Sequence, residues 1–345
     1  MTKCQICGKN LKNPNSKAHI NSEFHQKKLN EINSKTKNEM LNKCPKCSRN
    51  IENDWVYCPY CSYVLKENEL KETNKNSKEL DFIQLKVING NSEFKKVIKM
   101  NNWAGNGIKS NPYIIDGLII KSKNEDDGIY INNTDCFFII QNCILENCKG
   151  TGISLKNVKN GIIKKNKIVS NNKYGIFLYN SNQNLIIENQ ISKNNESGLI
   201  LVNCKENQIY KNNLHLNNIN GIHLYYSSEN IIKENEARSN EIGIALQYSL
   251  KNQILENKST YNNHGISLIL SKDNKIEKNL VLSNNKGISL AKSSNNLIIE
   301  NKTPYNNKSG IYLMSSLDNI IKNNTTKPSP NHEIYFYKSP ENQVE

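Results

Sequence analysis

The run Gly221-Ile222-His223-Leu224-Tyr225-Tyr226-Ser227-Ser228-Glu229-Asn230-Ile231-Ile232-Lys233-Glu234-Asn235 decides the fold. Its opening phrase, Gly-Ile-x-Leu or a close variant, also starts at Gly128, Gly152, Gly175, Gly198, Gly243, Gly265, Gly287 and Gly310, with a glycine-less copy at Glu333. Successive copies are 22 to 24 residues apart, and a fixed interval in that range marks stacked repeat units. Within each copy the apolar residues alternate, as in Ile176 and Leu178 or Ile311 and Leu313. A period of two places both on one face of a strand.

The second phrase, Asn-x-Ile-x-x-Asn or a close variant, returns as Asn184 to Asn189, Asn207 to Asn212, Asn252 to Asn257, Asn274 to Asn279, Asn296 to Asn301 and Asn319 to Asn324. Each interval therefore holds at least two short strands separated by Asn-rich bends. No helical period lies between them, which excludes βαβ units and leaves a coil that closes on itself, a parallel β-helix. Isoleucines stack inward. Asparagines stack at the corners, where Asn tolerates left-handed backbone and its amide can bond to the Asn one turn on. About ten turns at a strand spacing of roughly 4.8 Å give a rod on the order of 50 Å long. The expected fold class is all-β.

These repeats, with the lead-in Gly105-Asn106-Gly107-Ile108-Lys109-Ser110-Asn111-Pro112-Tyr113-Ile114-Ile115-Asp116-Gly117-Leu118, resemble the NosD-like right-handed β-helices, the carbohydrate-binding and sugar-hydrolase repeats, over roughly residues 102 to 337. The resemblance implies the hand of the coil and a carbohydrate-type ligand. It assigns no single activity, because the fold hosts many.

Two sets of metal-ligand spacing precede the repeats. Cys4, Cys7, His19 and His25 read C-x2-C-x11-H-x5-H, a knuckle followed by a helix that Asn13 can cap and Pro14 can open. The stretch resembles matrin-type zinc fingers, which implies structured RNA or protein as partner; Ser16 stands where that family has a core Leu. Cys44, Cys47, Cys58 and Cys61 read C-x2-C-x10-C-x2-C and resemble a minimal zinc ribbon. Two Zn²⁺ sites are expected, both closed and hence structural. Six thiols kept for metal imply a reducing compartment.

The expected domains are a finger at 1–33, a linker at 34–42, a ribbon at 43–66, a linker at 67–80 and the β-helix at 81–345. The net charge is +14, but residues 1–79 carry 15 Lys or Arg against 9 Asp or Glu, so the excess is spread along the chain. With only Arg49 and Arg238 among the cations besides Lys, composition points to no single nucleic-acid footprint. There is no apolar leader and no run of about eighteen apolar residues, so a cytoplasmic protein without a membrane partner is expected.

The residue between Ile and Leu of each phrase points outward: Tyr130, Ser154, Phe177, Ile200, His223, Ala245, Ser267, Ser289, Tyr312 and Tyr335. None is a carboxylate, whereas glycoside hydrolysis needs a carboxyl pair and a lyase or epimerase needs a base with a cation. Glu125, Asp126, Asp127 and Asp135 are the acids whose clustering would favour catalysis. His264 and His332 share a repeat position three turns apart, too far to share a metal. Cys136, Cys143, Cys148 and Cys204 lack ligand spacing and read as small buried hydrophobes. Phe177, Tyr179, His223 and Tyr225, with Tyr226 beside them and His215 in the same turn, form an aromatic and imidazole strip suited to stacking sugar rings, or to ordinary cross-strand packing.

The sequence therefore reads as a zinc-binding modular binding protein. Its zinc modules would anchor to nucleic acid or protein, and its rod would offer a platform for carbohydrate. The alternatives are a carbohydrate-active hydrolase, lyase or epimerase, and an assembly protein stacking end to end.

Overall fold

A computed structural model of the chain describes residues 87–121 and 127–345, with the strand backbones Thr2–Lys3 and Asn10–Leu11. The chain divides into Met1–Lys75 and Asn76–Glu345. In the first unit Thr2–Lys3 pairs antiparallel with Asn10–Leu11; Cys4, Cys7, His19, His25, Cys44, Cys47, Cys58 and Cys61, with Glu125 and Asp126 of the second unit, lie outside the described residues.

The intervals from Gly128 to Lys286 each fold as three strands, one more than the two that the phrases mark; in the later turns the third position holds only isolated bridges, at Lys302 and Thr325. One turn runs through Leu185–Ile187, Gln190–Ser192 and Leu199–Val202. The extra strand escapes pattern reading because it buries a single residue, here Ile191, and one residue has no period. Stacked turns build three parallel sheets. The long-strand sheet has eleven strands, from Ile88–Asn89 to His332–Tyr337; a second has eleven, from Tyr113–Asp116 to Gln343–Val344; a third has eight, from Ile119–Lys121 to Leu280–Leu282.

Register keeps equivalent residues in columns. Ile176 pairs with Leu199, Leu199 with Ile222 and Ile222 with Ile244, and all four are fully buried. Each such side chain contributes roughly 1.5–3 kcal/mol by leaving water. The glycine ahead of each Ile sits where the backbone has no room for a side chain: a Cβ at Gly175 would lie 2.4 Å from Ile191 Cγ2 and 2.5 Å from Gly198 O. Close approach, and no need for positive φ, accounts for that glycine.

Asparagine ladders run along three corners: Asn166 to Asn324, Asn171 to Asn306 and Asn184 to Asn342. Asn212 is representative. Its backbone N and its Nδ2 both donate to Asn235 Oδ1, at 2.9 and 3.0 Å, and Nδ2 also donates to Ile186 O of the preceding turn at 2.9 Å. Burying an amide costs a few kcal/mol when its bonds go unmade, and here every turn makes them. The left-handed backbone belongs to the residue before each ladder Asn, as at Lys211, Glu234 and Lys278, all with φ between 51° and 56°. The expectation that a corner Asn turns left-handed therefore holds at Asn133, Asn157, Asn180 and Asn203 but not for the ladder Asn itself.

A fourth ladder uses Ser181, Ser227, Ser249 and Ser271, with Cys204 in its second position: Ser181 N donates to Cys204 Sγ at 3.4 Å, and Cys204 N to Ser227 Oγ at 3.0 Å. Cys143 N and Cys148 N likewise donate to the first residues of two Asn ladders, Asn166 and Asn171. These cysteines are buried as expected, but they occupy polar ladder positions. Burial pushes the Cys143 thiol up to about 12 and that of Cys204 up to about 11.

One helix accompanies the strands among the described residues. Asn91–Met100 is an α-helix that buries Phe94 and Ile98, one turn apart, over the first strands. The Phe94 ring packs on Tyr113 and Phe138 at 4.9 and 5.3 Å, covering that end of the core. At the opposite end His332–Tyr337 is an edge strand with Phe336 and Tyr337 exposed.

Candidate functional site

The long-strand sheet presents three outward columns: the residue before the glycine, the residue between Ile and Leu, and the residue after Leu. In the central column Phe177 pairs with Ile200 and Ile200 with His223; beside it Tyr179 pairs with Val202 and Val202 with Tyr225. Phe177 and His223 are thus two strand spacings apart, roughly 10 Å. The Phe177 and Tyr179 centroids are 6.4 Å apart, and Tyr174 stacks on Phe177 at 5.5 Å. His223 and Tyr225 are 6.0 Å apart. Burial pushes the His223 imidazole down to about 4, so it is neutral at pH 7. His215 does not join this strip: it lies on Asn213–His215 of the third sheet, around the corner of the same turn.

Tyr226, which the sequence already places beside His223 and Tyr225, and Tyr248, which it does not single out, complete the second row. Tyr226 and Tyr248 stack at 4.7 Å and 6° from parallel, with Tyr225 edge-on to Tyr226 at 4.6 Å. Both sit at left-handed backbone, φ 48° and 51°, at the corner that Asn133, Asn157, Asn180 and Asn203 occupy in earlier turns. The signal was present: Asn180-Ser181 and Asn203-Cys204 become Tyr226-Ser227 and Tyr248-Ser249.

Further along, the central column turns small. Ala245, Ser267 and Ser289 are 7%, 6% and 5% exposed and in register, forming the floor of a trough. His264 and Lys286 line one side in consecutive strands. His264 Nδ1 is 2.8 Å from Ser289 Oγ, and Lys286 Nζ lies 3.6 Å from the centroid of the Tyr312 ring, which stacks on Tyr335. Burial, then the Lys286 ammonium, lower the His264 pKa, with Glu241 opposing; burial and Lys308 lower that of Lys286. His332 is three strands beyond His264 in the same column. Among the described residues no group of three or more His, Cys, Asp or Glu could hold a metal ion.

Of the four acids, the two that lie among the described residues, Asp127 and Asp135, do not converge. Asp127 accepts from Thr151 N at 2.6 Å and Asp135 from Asn91 Nδ2 at 2.8 Å. They flank opposite ends of the strand Ile129–Thr134, on the order of 20 Å apart. Among the described residues no helix is long and apolar enough to cross a membrane.

The model of the right-handed β-helix region matches residues 87–258 and 220–345. The chain belongs to this family of parallel β-helix repeat proteins. No curated protein matches it. Among solved structures, the A-module of the Azotobacter vinelandii mannuronan C-5 epimerase AlgE6 is similar over 67% of this chain and 79% of its own, at 12% identity and a TM-score of 0.56. The Dettilon tailspike protein is similar over 63% and 52%, at 18% identity and a TM-score of 0.54. The periplasmic alginate epimerase AlgG is similar over 63% and 55%, at 18% identity and a TM-score of 0.49. The match spans about half the length of the last two, and at these identities the likeness concerns the fold alone.

Proposed function

We propose that the chain is a carbohydrate-binding protein that holds a polysaccharide on the long-strand sheet, in the manner of the NosD-like branch of its family. Phe177, Tyr179, His223 and Tyr225, with Tyr174, Tyr226 and Tyr248, present aromatic faces to sugar rings. The observation that carries the reading is the Tyr226–Tyr248 pair: two rings stacked across neighbouring turns beside the aromatic strip, with Tyr225 edge-on to Tyr226 and Tyr226 53% exposed. An exposed, stacked ring pair offers the flat apolar face that a sugar ring packs against. That a mannuronan epimerase module and a tailspike protein share the fold is in keeping with it.

A carbohydrate-active enzyme is the second reading, favoured by the neutral His264 hydrogen-bonded to Ser289. The separation of Asp127 from Asp135 argues against a two-carboxylate hydrolase, leaving lyase or epimerase chemistry. The two zinc modules belong to the proposal as arms for a nucleic-acid or protein partner.

A glycan array probed with the full-length chain tests the main reading. The expected result is binding to a subset of polysaccharides that is lost in Tyr226→Asn/Tyr248→Asn; no binding to any polysaccharide would overturn it.

A further inference from the structure

His264 pairs with Lys286 in consecutive strands and Lys286 in turn with Ser309, so Lys308 comes one residue ahead of the same column. His264 and Lys286 therefore stand roughly 4.8 Å apart along one edge of the trough, with Lys308 near enough for its charge to lower the pKa of both. Lys286 is half-buried and its ammonium sits over Tyr312, so its charge is held across the trough end instead of ranging through solvent.

Among the described residues neither Lys286 nor Lys308 forms an ion pair, whereas the corner lysines Lys165, Lys211 and Lys278 each reach a Glu of the next turn. The nearest acids on this edge are engaged. Glu241, two turns before Lys286 and roughly 10 Å away by strand spacing, accepts from Asn263 Nδ2 at 2.6 Å. Glu333, one turn past Lys308, pairs with Lys327 at 3.3 Å. Two adjacent cations without a counter-charge raise the energy of this edge, and an anion between them lowers it. Beneath them Ser289 offers a hydroxyl on a floor of small side chains, its Oγ bonded to His264.

We infer that Lys286 and Lys308, with His264, Ser289 and Tyr312, form a subsite for an anionic group, a carboxylate or a sulfate ester, carried by a polysaccharide lying along the trough. The inference rests on the reading of this face as a carbohydrate surface and names the class of sugar it selects: acidic.

The test is affinity electrophoresis of the full-length chain in gels containing a polyuronate, a sulfated polysaccharide or a neutral glucan, at low and high salt. The acidic polymers are expected to bind roughly tenfold or more tighter than the neutral one, with a salt-sensitive difference. Lys286→Gln/Lys308→Gln should reduce that preference to the neutral level. Lys165→Gln/Lys211→Gln, which removes the same charge from the second sheet, should leave it intact. Which acidic polymer loses more in the first variant distinguishes carboxylate from sulfate. A preference that survives Lys286→Gln/Lys308→Gln, or falls equally in both double variants, overturns the subsite while leaving the carbohydrate reading standing; binding to no polymer overturns both.

Discussion

The rings of Tyr226 and Tyr248 lie parallel, 4.7 Å apart, each carried by a residue with φ near 50°. Left-handed backbone is costly for a bulky side chain and cheap for Asn. Tyr226→Asn/Tyr248→Asn should therefore leave folding stability unchanged or higher by up to about 1 kcal/mol. Its effect on polysaccharide binding should be a loss of roughly tenfold or more, since ring stacking would contribute most of the contact. Parallel thermal melts and glycan titrations separate the two effects: lower stability with unchanged binding would make the pair a packing element.

The buried ladders give a larger effect from a smaller change. Asn212→Ala removes the donor to Ile186 O and the acceptor shared by Asn189 N and Asn189 Nδ2. Leaving such groups buried and unpaired should cost about 2–4 kcal/mol. In a stack where each turn touches only its neighbours, the loss should be read first as faster amide exchange in the adjacent turns. Uniform exchange along the rod would contradict that local account.

The parts of this fold legible in the sequence are those that repeat with a period. Ile176, Leu199, Ile222 and Ile244 announced the long-strand sheet, and Asn207 to Asn212 announced two of the corners. The third strand, with Ile191 as its one inward residue, carried no period, and the helix Asn91–Met100 lay ahead of the repeats. Geometry at the ladder corners was misassigned because Asn is both the residue that tolerates left-handed backbone and the residue that builds ladders; only coordinates separate Asn212, in the ladder, from Lys211, in the turn. The aromatic row at His223 and Tyr225 was readable from alternation. Tyr226 was readable as their neighbour, but its stacking on Tyr248 was not, since both fall one residue past the strand, and the trough at Ser267 and Ser289 emerges only when flanking columns are placed beside it.

Glycines in this chain serve two purposes, and substitution separates them. At Gly175 a Cβ meets Ile191 Cγ2 and Gly198 O within 2.5 Å, whereas at Gly117, φ +69°, nothing lies within 4 Å. Gly175→Ala should cost about 1–3 kcal/mol or more through overpacking against backbone that cannot yield. Gly117→Ala meets only the left-handed penalty, about 1 kcal/mol. Denaturant midpoints for the two variants check the order; equal losses would mean that the coil spreads to admit a methyl group.

The sequence motifs ahead of the rod carry their own test. Zinc analysis of the purified chain should find two ions per molecule, one removed by Cys4→Ser and the other by Cys44→Ser. Polysaccharide binding should be indifferent to both variants, because the proposed sugar-binding residues all lie on the long-strand sheet and its edges. A metal content below two would remove one of the proposed modules.

Buried imidazole makes the rod sensitive to acid. His223 has its folded pKa lowered to about 4, against 6.5 for the unfolded chain. Between those values the unfolded chain binds more protons than the folded one, so stability is full above pH 6.5, falls as the pH drops towards 4 and levels off below it. His215, also lowered to about 4 by burial and by the nearby Arg238 and Lys193 charges, acts in the same direction. His223→Phe keeps a flat ring in the apolar strip and removes the titration. Its melting temperature should therefore decline less than that of the parent between pH 7 and pH 4.5. An unchanged decline would assign the acid sensitivity to His215 or to the carboxylates of the surface ion pairs.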